Sequence, residues 1–328
     1  MTPGIRPPKP PKLPRPPKLS EARDEVMDTA YALGWTVVRK MPERAARAAF
    51  TALADRTWHR YGPGVRQLER NLCRVLGKDA VDDEVRVLSK KVLRSYFRYW
   101  LEVFRLPEYD RDRIVGRMRI TGHEKIFEEL GSGRGVVLAL PHMGNYEHAG
   151  AWLVHQGHPF TTVAERLKPE SLFDRFVEFR ESLGMEVLAH RGASAYGRLA
   201  QRLRAGRPVC LVVDRDLTES GIDVDFFGAT ARMPAVSAAL AIQTGAALIP
   251  VTLWYEGEYW AARVHDEIPV PDGGVRQEKI QAMTQRLANV FEEGIREHPE
   301  DWHMLQKVWV EDLAEGRRER PAPEGSGP

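Results

Sequence analysis

The spacing of apolar residues divides the chain near residue 117. Before that point, apolar positions recur at the period of an α-helix in four segments, covering residues 20–40, 42–62, 63–77 and 82–106. Ser20 is a favourable N-cap for the first segment, and Gly62 is a favourable end for the second. The pattern therefore predicts a set of amphipathic helices over residues 20–106.

Beyond residue 117, short β-rich runs alternate with helical stretches. The runs read RMRITG, RGVVLALPH, FTTVAER, MEVLAH, PVCLVVDRD and ALIPVTLWY. This alternation predicts an α/β fold with a largely parallel central sheet flanked by helices. We expect a single domain over residues 19–315, in which residues 117–313 form the α/β core.

Both ends of the chain are expected to be disordered tails, residues 1–18 and 316–328. The first tail holds eight prolines, with cations at positions 6, 9, 12, 15 and 18. Polyproline II has three residues per turn, so these cations would line one edge of the segment. The tail is either a solubilising segment or a basic stripe for anionic lipid headgroups, where each cation contributes roughly 1 kcal/mol.

The helices before residue 77 also have features of a membrane surface. Residues 34–70 carry eight Lys or Arg against three acids, and Trp35, Trp58 and Tyr61 lie near helix ends. Basic helices with such aromatic residues are typical of peripheral membrane proteins, although a helix that packs on its neighbour has the same pattern. No window offers about 18 uninterrupted apolar residues, so we expect the protein to be soluble or attached to a membrane surface, and not to span the membrane.

Composition narrows the possible functions further. The formal net charge is only +2, which argues against a general nucleic-acid binder. The two cysteines, Cys73 and Cys210, form no C-x-x-C pair and no disulfide framework, as expected in a reducing cytoplasm.

Polar residues follow three of the predicted strands. They are His142 after the first, Glu165 and Arg166 after the next, and Asp214, Arg215 and Asp216 after a third. Ligands of parallel sheets bind at the carboxyl ends of the strands, so we expect one shared site there. Ordinary surface salt bridges remain the alternative for each charged residue.

The segment PHMGNYE places a histidine and a glutamate five residues apart, His142 and Glu147. On one regular helix these side chains would be roughly 140° apart. They can meet if His142 lies in a turn formed by Gly144 and Asn145, with Glu147 about a turn inside the helix. The carboxylate would then accept the imidazole Nδ1–H and leave Nε2 as a base near neutral pH. A structural histidine at a strand end is the alternative.

Several other chemistries find no support in the sequence. His142, His148, His155 and His158 lack the H-E-x-x-H spacing of a zinc site, and we expect no metal. A G-x-S-x-G nucleophile and a G-x-x-x-x-G-K-[ST] phosphate loop are both absent. The segment GSGRG precedes its strand instead of following it, so it does not indicate a dinucleotide site.

HMGNYE resembles the H-x4-[D/E] motif of the lysophospholipid acyltransferase superfamily. Further resemblance points to the branch that contains the lipid A acyltransferases and the actinobacterial phosphatidylinositol mannoside acyltransferases. It lies in residues 164–187, 212–228, 233–251 and 300–309, and covers about residues 20–313. The stretches AERLKP and DRDL…FFG look most like the mannoside enzymes. Glu147 stands where many superfamily members have aspartate.

The resemblance implies transfer of a fatty acyl chain, such as palmitoyl, from acyl-CoA to a mannose hydroxyl of a phosphatidylinositol mannoside. It implies His142 as general base, Glu147 as its assistant, no bound cofactor, and a location at the cytoplasmic face of the cell membrane. Residues expected to hold sugar hydroxyls, phosphate, pantetheine or the acyl chain are Asn145, Glu165, Arg166, Arg180, Asp214, Arg215, Asp216, Phe227 and Gly228. Phe226 and Phe227 would equally suit a protein core.

Two alternative functions remain open. An acyltransferase of the same superfamily could act on another glycolipid or on a lysophospholipid. A non-catalytic membrane-surface protein on the same fold is the second alternative, but binding alone requires no histidine and glutamate at this spacing.

Overall fold

The computed structural model describes residues 37–164, 170–189, 193–216 and 221–313. Both tails, the Ser20 cap, most of the first predicted helix, and Glu165 with Arg166 lie outside the described residues. Residues 37–40 are helical.

Ten α-helices follow within the described residues. They are α1 (Glu43–Arg60), α2 (Pro63–Leu76), α3 (Asp83–Arg105), α4 (Arg111–Gly116), α5 (Glu124–Gly131), α6 (Tyr146–His155), α7 (Glu170–Ser182), α8 (Ala193–Arg204), α9 (Val236–Thr244) and α10 (Arg276–Glu297). Short 3-10 turns occupy Leu106–Glu108 and Pro299–Asp301. The helices predicted at 42–62, 63–77 and 82–106 correspond to α1, α2 and α3. Asp82 caps α3 by accepting a hydrogen bond from the Val85 backbone N–H.

Seven strands form the central sheet and two form a separate hairpin. The strands are β1 (Met118–Thr121), β2 (Val136–Leu140), β3 (Thr161–Ala164), β4 (Glu186–Ala189), β5 (Pro208–Val212), β6 (Ile222–Phe226), β7 (Ala229–Met233), β8 (Ala247–Glu256) and β9 (Tyr259–Val264). The sheet order is β1-β9-β8-β2-β5-β3-β4, and β6 pairs with β7 alone. Every described neighbouring pair in the large sheet is parallel except β8 with β9. The α/β prediction is confirmed.

Strand β2 lies at the centre of the sheet and is buried along its whole length. Val137 and Ala139 face one hydrophobic core, which α8, α9 and α10 cover. Val136, Leu138 and Leu140 face the other core, to which α3, α6 and α7 contribute. A strand covered on both faces is continuously apolar, which explains why RGVVLAL was readable as a buried strand.

Helix α1 packs on α3. The Trp58 Nε1–H donates to Ser89 Oγ at 2.9 Å, and the Arg94 guanidinium donates two hydrogen bonds to Asp55, at 2.7 and 2.6 Å. The alternative interpretation of this helix, packing on a neighbour, therefore accounts for Trp58. No helix in the described part of the chain is both long enough and apolar enough to cross a bilayer.

Candidate active site at the carboxyl edge of the sheet

The loop after β2 carries His142 and turns sharply into α6. Gly144 has φ +57, and a Cβ there would lie 2.8 Å from the Leu253 carbonyl carbon, so both the conformation and the space require glycine. Asn145 is the N-cap of α6, because its Oδ1 accepts a hydrogen bond from the His148 backbone N–H at 2.9 Å. The predicted turn before the helix is confirmed.

The carboxylate beside His142 belongs to Asp214, which follows β5. Asp214 Oδ1 lies 2.5 Å from His142 Nδ1, and Oδ2 accepts from the His142 backbone N–H at 3.0 Å. Oδ2 also accepts from the indole Nε1–H of Trp302 at 3.0 Å. Since Asp214 occupies Nδ1, the proton lies on that nitrogen and Nε2 is available as the base. The His142 side chain is 29% exposed, whereas that of Asp214 is fully buried.

The charge on Asp214 is stabilised by its neighbours. Burial raises the pKa of this carboxyl, but the coulombic field of His142 and the hydrogen bonds from His142 and Trp302 hold the pKa below its usual value. Asp214 is therefore ionised at neutral pH.

The prediction that Glu147 accepts a hydrogen bond from His142 is wrong. Both Glu147 carboxylate oxygens accept from Arg180 of α7, with Arg180 Nη2 at 2.5 Å from Oε1 and Nε at 3.2 Å from Oε2. The reason is the start of α6 at Tyr146, which makes Glu147 the second residue of the first turn and not one turn inside. From there its side chain reaches α7. The Glu147 side chain is only 3% exposed, so this is a buried ion pair.

Asn145 and Arg180 were both expected to bind substrate. The Asn145 Nδ2–H donates to Glu102 at 2.8 Å, so both ends of its buried amide are used inside the protein. Glu102 also accepts from Trp260 Nε1 at 2.7 Å. Arg180 lines the cavity described below, but its guanidinium is committed to Glu147. Burial lowers the pKa of Arg180, and Glu147 more than offsets this, so its pKa is raised.

A cavity of about 670 Å³ opens beside His142. It is within the range of about 300–1,000 Å³ typical of small-molecule sites. Its walls are mostly apolar and include Leu138, Leu140, Gly150, Trp152, Phe160 and Met185. The aromatic cluster of α3 supplies Tyr99 and Trp100 as both core and cavity wall.

The cavity lies where two neighbouring strands separate. Pairing between β3 and β5 includes Thr161 with Val209 and Thr162 with Cys210, and extends no further along the described strands. Side chains alternate between the two faces of a strand. Cys210 and Leu211 nevertheless both line the cavity. The opening between β3 and β5 thus reaches both faces of the sheet, at the carboxyl edge where ligands of parallel sheets bind.

The remaining predicted site residues divide into three groups. Arg215 and Asp216 line the cavity, as the position after β5 predicted. Phe227 and Gly228 form the turn of the β6–β7 hairpin and are not among the cavity-lining residues. Phe227 is buried, with its ring centroid 6.4 Å from that of Trp302, which fits the core alternative. Glu165 and Arg166 lie outside the described residues.

The C-terminal segment supports the His142 loop. No local sequence pattern predicted this contact. Met143 forms an antiparallel bridge with Trp302, the His303 N–H donates to the His142 carbonyl at 2.8 Å, and the Gly144 N–H donates to Asp301 at 2.9 Å. Trp302 and His303 belong to the segment EDWHML, which the sequence analysis used only as part of the family resemblance. Among the described residues, no group of three metal-ligating side chains is present.

Comparison with known proteins decides the family. The sequence profile of the bacterial lipid A biosynthesis acyltransferases matches residues 17–311. The chain belongs to this family. It is also 50% identical over 301 residues to a phosphatidylinositol mannoside acyltransferase of Mycolicibacterium smegmatis, covering 90% of this chain and 95% of the relative. A phosphatidylinositol mannoside acyltransferase of Mycobacterium tuberculosis is 48% identical over 313 residues, covering 94% and 96% respectively.

Membership of this acyltransferase family fits the position of the cavity and the histidine. The apolar cavity lies beside His142, and the cavity-lining cations and acids lie at the same strand edge. The family assignment and the geometry therefore point to the same part of the molecule.

Proposed function

We propose that this protein transfers a fatty acyl chain from acyl-CoA to a mannose hydroxyl of a phosphatidylinositol mannoside. The observation that carries the proposal is the His142–Asp214 pair beside an apolar cavity. The acceptor is inferred from the names of relatives that are about half identical over nearly the whole chain.

In the proposed reaction, His142 Nε2 removes the proton of the attacking hydroxyl. The oxygen forms a bond to the thioester carbonyl carbon, and the tetrahedral intermediate then releases the CoA thiolate, which takes the proton back from Nε2. Asp214 stabilises the imidazolium during these steps. A sugar hydroxyl ionises far too weakly at neutral pH to attack unaided, and a positioned base contributes about 10²–10⁴-fold.

The cavity suits the acyl chain of the donor. Leu138, Leu140, Phe160 and Met185 give its wall an apolar surface against which an alkyl chain can leave water. The polar end of the cavity holds His142, Arg215 and Asp216, where the thioester and the sugar would meet. Arginine is suited to phosphate, and carboxylates are suited to sugar hydroxyls.

The acceptor lipid places the enzyme at a membrane, and we propose that it is peripheral on the cytoplasmic face. Support comes from the first described helices, where Val37 is 55% exposed and Leu53 is 48% exposed. Arg56 and Arg60 are exposed on the same helix as Leu53. Apolar and basic side chains side by side suit the headgroup region of an anionic bilayer.

The test offers palmitoyl-CoA with phosphatidylinositol mannosides and, in parallel, with lysophospholipids. The wild type is compared with His142→Ala and with His155→Ala, an exposed histidine at the end of α6. We expect transfer to mannoside that is lost in His142→Ala and kept in His155→Ala. Transfer to lysophospholipid alone would refute the proposed acceptor. A folded His142→Ala variant with wild-type rates would refute the proposed base.

A further inference from the structure

Trp302 contacts Asp214 and the residue that follows His142 in the chain. Its backbone bridges Met143, the residue after His142, and its Nε1–H donates to Asp214 Oδ2 at 3.0 Å. The side chain is fully buried, 88 positions after Asp214 in the chain. One residue therefore ties the backbone of the histidine loop to the carboxylate that the histidine uses.

We propose that Trp302 is a positioning residue that fixes the orientation of the Asp214 carboxylate and thereby sets the basicity of His142. This inference rests on the proposed function, because it concerns the base of that reaction. Nothing in the family name or in the names of the relatives assigns a role to this indole.

The geometry of the carboxylate explains how the indole acts. Asp214 Oδ1 accepts from His142 Nδ1, and among the described residues two further donors hold Oδ2 and resist rotation of the carboxylate. One is the His142 backbone N–H, and the other is Trp302 Nε1–H. Hydrogen bonds to a charged group are stronger than those between neutral groups, so loss of the indole donor leaves more of the negative charge of Asp214 unneutralised. A more strongly negative carboxylate, still bonded to Nδ1 through Oδ1, favours the imidazolium, so the pKa of His142 is expected to rise in such a variant.

The indole itself is held rigidly. Its ring centroid lies 6.1 Å from that of Phe226, 6.4 Å from that of Phe227 and 6.3 Å from that of Trp309. These rings belong to the hairpin and to the C-terminal segment, and all are buried. Interdigitated aromatic rings leave few alternative rotamers, so the donor direction of Nε1 is fixed by packing.

Other titratable groups also lie around His142. His303 is behind the loop, and the cavity wall carries Tyr146, Glu147, Arg180, Arg215 and Asp216. Trp302→Phe replaces none of these side chains. A matched change at a second buried tryptophan separates the loss of the indole donor from a general change in packing.

Trp309 provides a matched control. It is also fully buried in the same aromatic cluster, and its Nε1–H donates to the Phe226 carbonyl at 2.9 Å. Among the described residues it makes no hydrogen bond or ring contact with His142 or Asp214. Trp309→Phe therefore removes an equivalent hydrogen bond and an equivalent volume without touching the catalytic pair.

The experiment measures the imidazole pKa of His142 by NMR of the full-length protein with labelled histidine, assigned through His142→Ala. The variants are Trp302→Phe and Trp309→Phe. We expect Trp302→Phe to raise the pKa of His142 and Trp309→Phe to leave it unchanged. With palmitoyl-CoA and mannoside, we expect kcat of Trp302→Phe to fall about 10-fold with both KM values nearly unchanged, and the acid limb of its pH–rate profile to move to higher pH.

An unchanged pKa of His142 in folded Trp302→Phe would overturn the inference. So would equal pKa changes in the two variants, because that result would indicate general loosening of the aromatic cluster. The NMR measurement needs no substrate. If the wild type fails to acylate mannoside, the proposed function fails, while the pKa comparison still decides whether Trp302 positions the pair.

Discussion

His142 and Asp214 are 72 positions apart in the chain, yet Nδ1 of the histidine lies 2.5 Å from Oδ1 of the aspartate. Parallel pairing of β2 with β5 brings them together, because Leu140 is in register with Val212 and each polar residue follows two positions later. The fold, and not the local H-x4-E spacing, therefore supplies the acid that orients the histidine.

Asp214→Asn is expected to reduce kcat by about 10²–10⁴-fold, the range that a positioned base contributes. The amide can donate to Nδ1 and so favour the wrong imidazole tautomer. The measurement is single-turnover acyl transfer at saturating donor and acceptor. Asp225→Asn, on the exposed face of the hairpin, is the control and should retain the wild-type rate. A wild-type rate in folded Asp214→Asn would contradict the assignment.

Glu147→Gln is expected to act first on stability. It leaves the Arg180 guanidinium buried with no carboxylate, which costs about 3–5 kcal/mol of unfolding free energy. The double variant Glu147→Gln/Arg180→Met should recover part of that loss, since no charge then remains buried. Denaturant unfolding of Glu147→Gln, of Arg180→Met and of the double variant measures the coupling free energy between the two residues.

The exposed Arg263–Glu297 pair, with both side chains more than 40% exposed, supplies the control for that cycle. Glu297→Gln should change the unfolding free energy by less than about 1 kcal/mol. Equal losses of unfolding free energy in Glu147→Gln and Glu297→Gln would show that the buried ion pair stabilises the protein no more than the exposed one.

Gly150→Leu is expected to shift donor preference toward shorter acyl chains. A Cβ at position 150 would lie 2.9 Å from Phe160 Cζ and 3.0 Å from Met185 Cε, both in the cavity wall. The added side chain must therefore displace these residues or occupy the cavity. Rates with acyl-CoA donors of increasing length measure the effect. Gly197→Leu is the control, because a Cβ at this position on α8 meets open space, and it should keep the wild-type preference for acyl length. If the two variants have the same preference, the acyl chain does not bind beside Gly150.

Stability should fall as the pH drops from about 6.5 to 5. Burial lowers the pKa of His148 to about 3, of His303 to about 3 and of His265 to about 4. These histidines stay neutral in the folded state but take up protons on unfolding below pH 6.5, so folding loses free energy there. Burial also raises the pKa of Asp301 to about 6, which acts in the opposite direction with one proton against three.

Urea unfolding at several pH values measures that slope. His148→Gln removes one of the three histidines from a net difference of about two protons, so it should flatten the fall by about half. His155→Gln, at an exposed position, should leave the slope unchanged. A slope that is the same in His148→Gln and the wild type would show that His148 does not contribute.

Deletion of residues 1–18 is expected to weaken binding to vesicles that contain anionic lipid and to make the remaining binding less sensitive to salt. The reason is the loss of five cations, each contributing roughly 1 kcal/mol near such a surface. Vesicle sedimentation at two salt concentrations measures both effects. A variant with glutamine at the five cationic positions should behave like the deletion, whereas unchanged binding would exclude the tail from membrane attachment.

The turn around His142 was predictable because its determinants are local. Gly144 and Asn145 lie beside the histidine, and a buried strand precedes them. The partner of His142 was not predictable from spacing, because Asp214 comes from another strand. The same applies to Arg180, which binds Glu147 from a different helix.

Among the strands, β1 to β5 and β8 were recognisable from their short β-rich runs. The hairpin strands β6 and β7 and the strand β9 were missed. In IDVDF the buried residues alternate with exposed aspartates, a pattern that becomes clear only once α10 is known to cover one face. Long-range packing, and not residue preference, selects these strands.

The bridge between Met143 and Trp302 also has a consequence for biosynthesis. Residues 142–144 and residues 301–303 must both have been synthesised before the histidine loop has its final support. A chain still attached to the ribosome, with residue 302 inside the exit tunnel, therefore has an incomplete centre. A chain that lacks residues 301–303 therefore lacks the bridge and the hydrogen bonds that support the His142 loop.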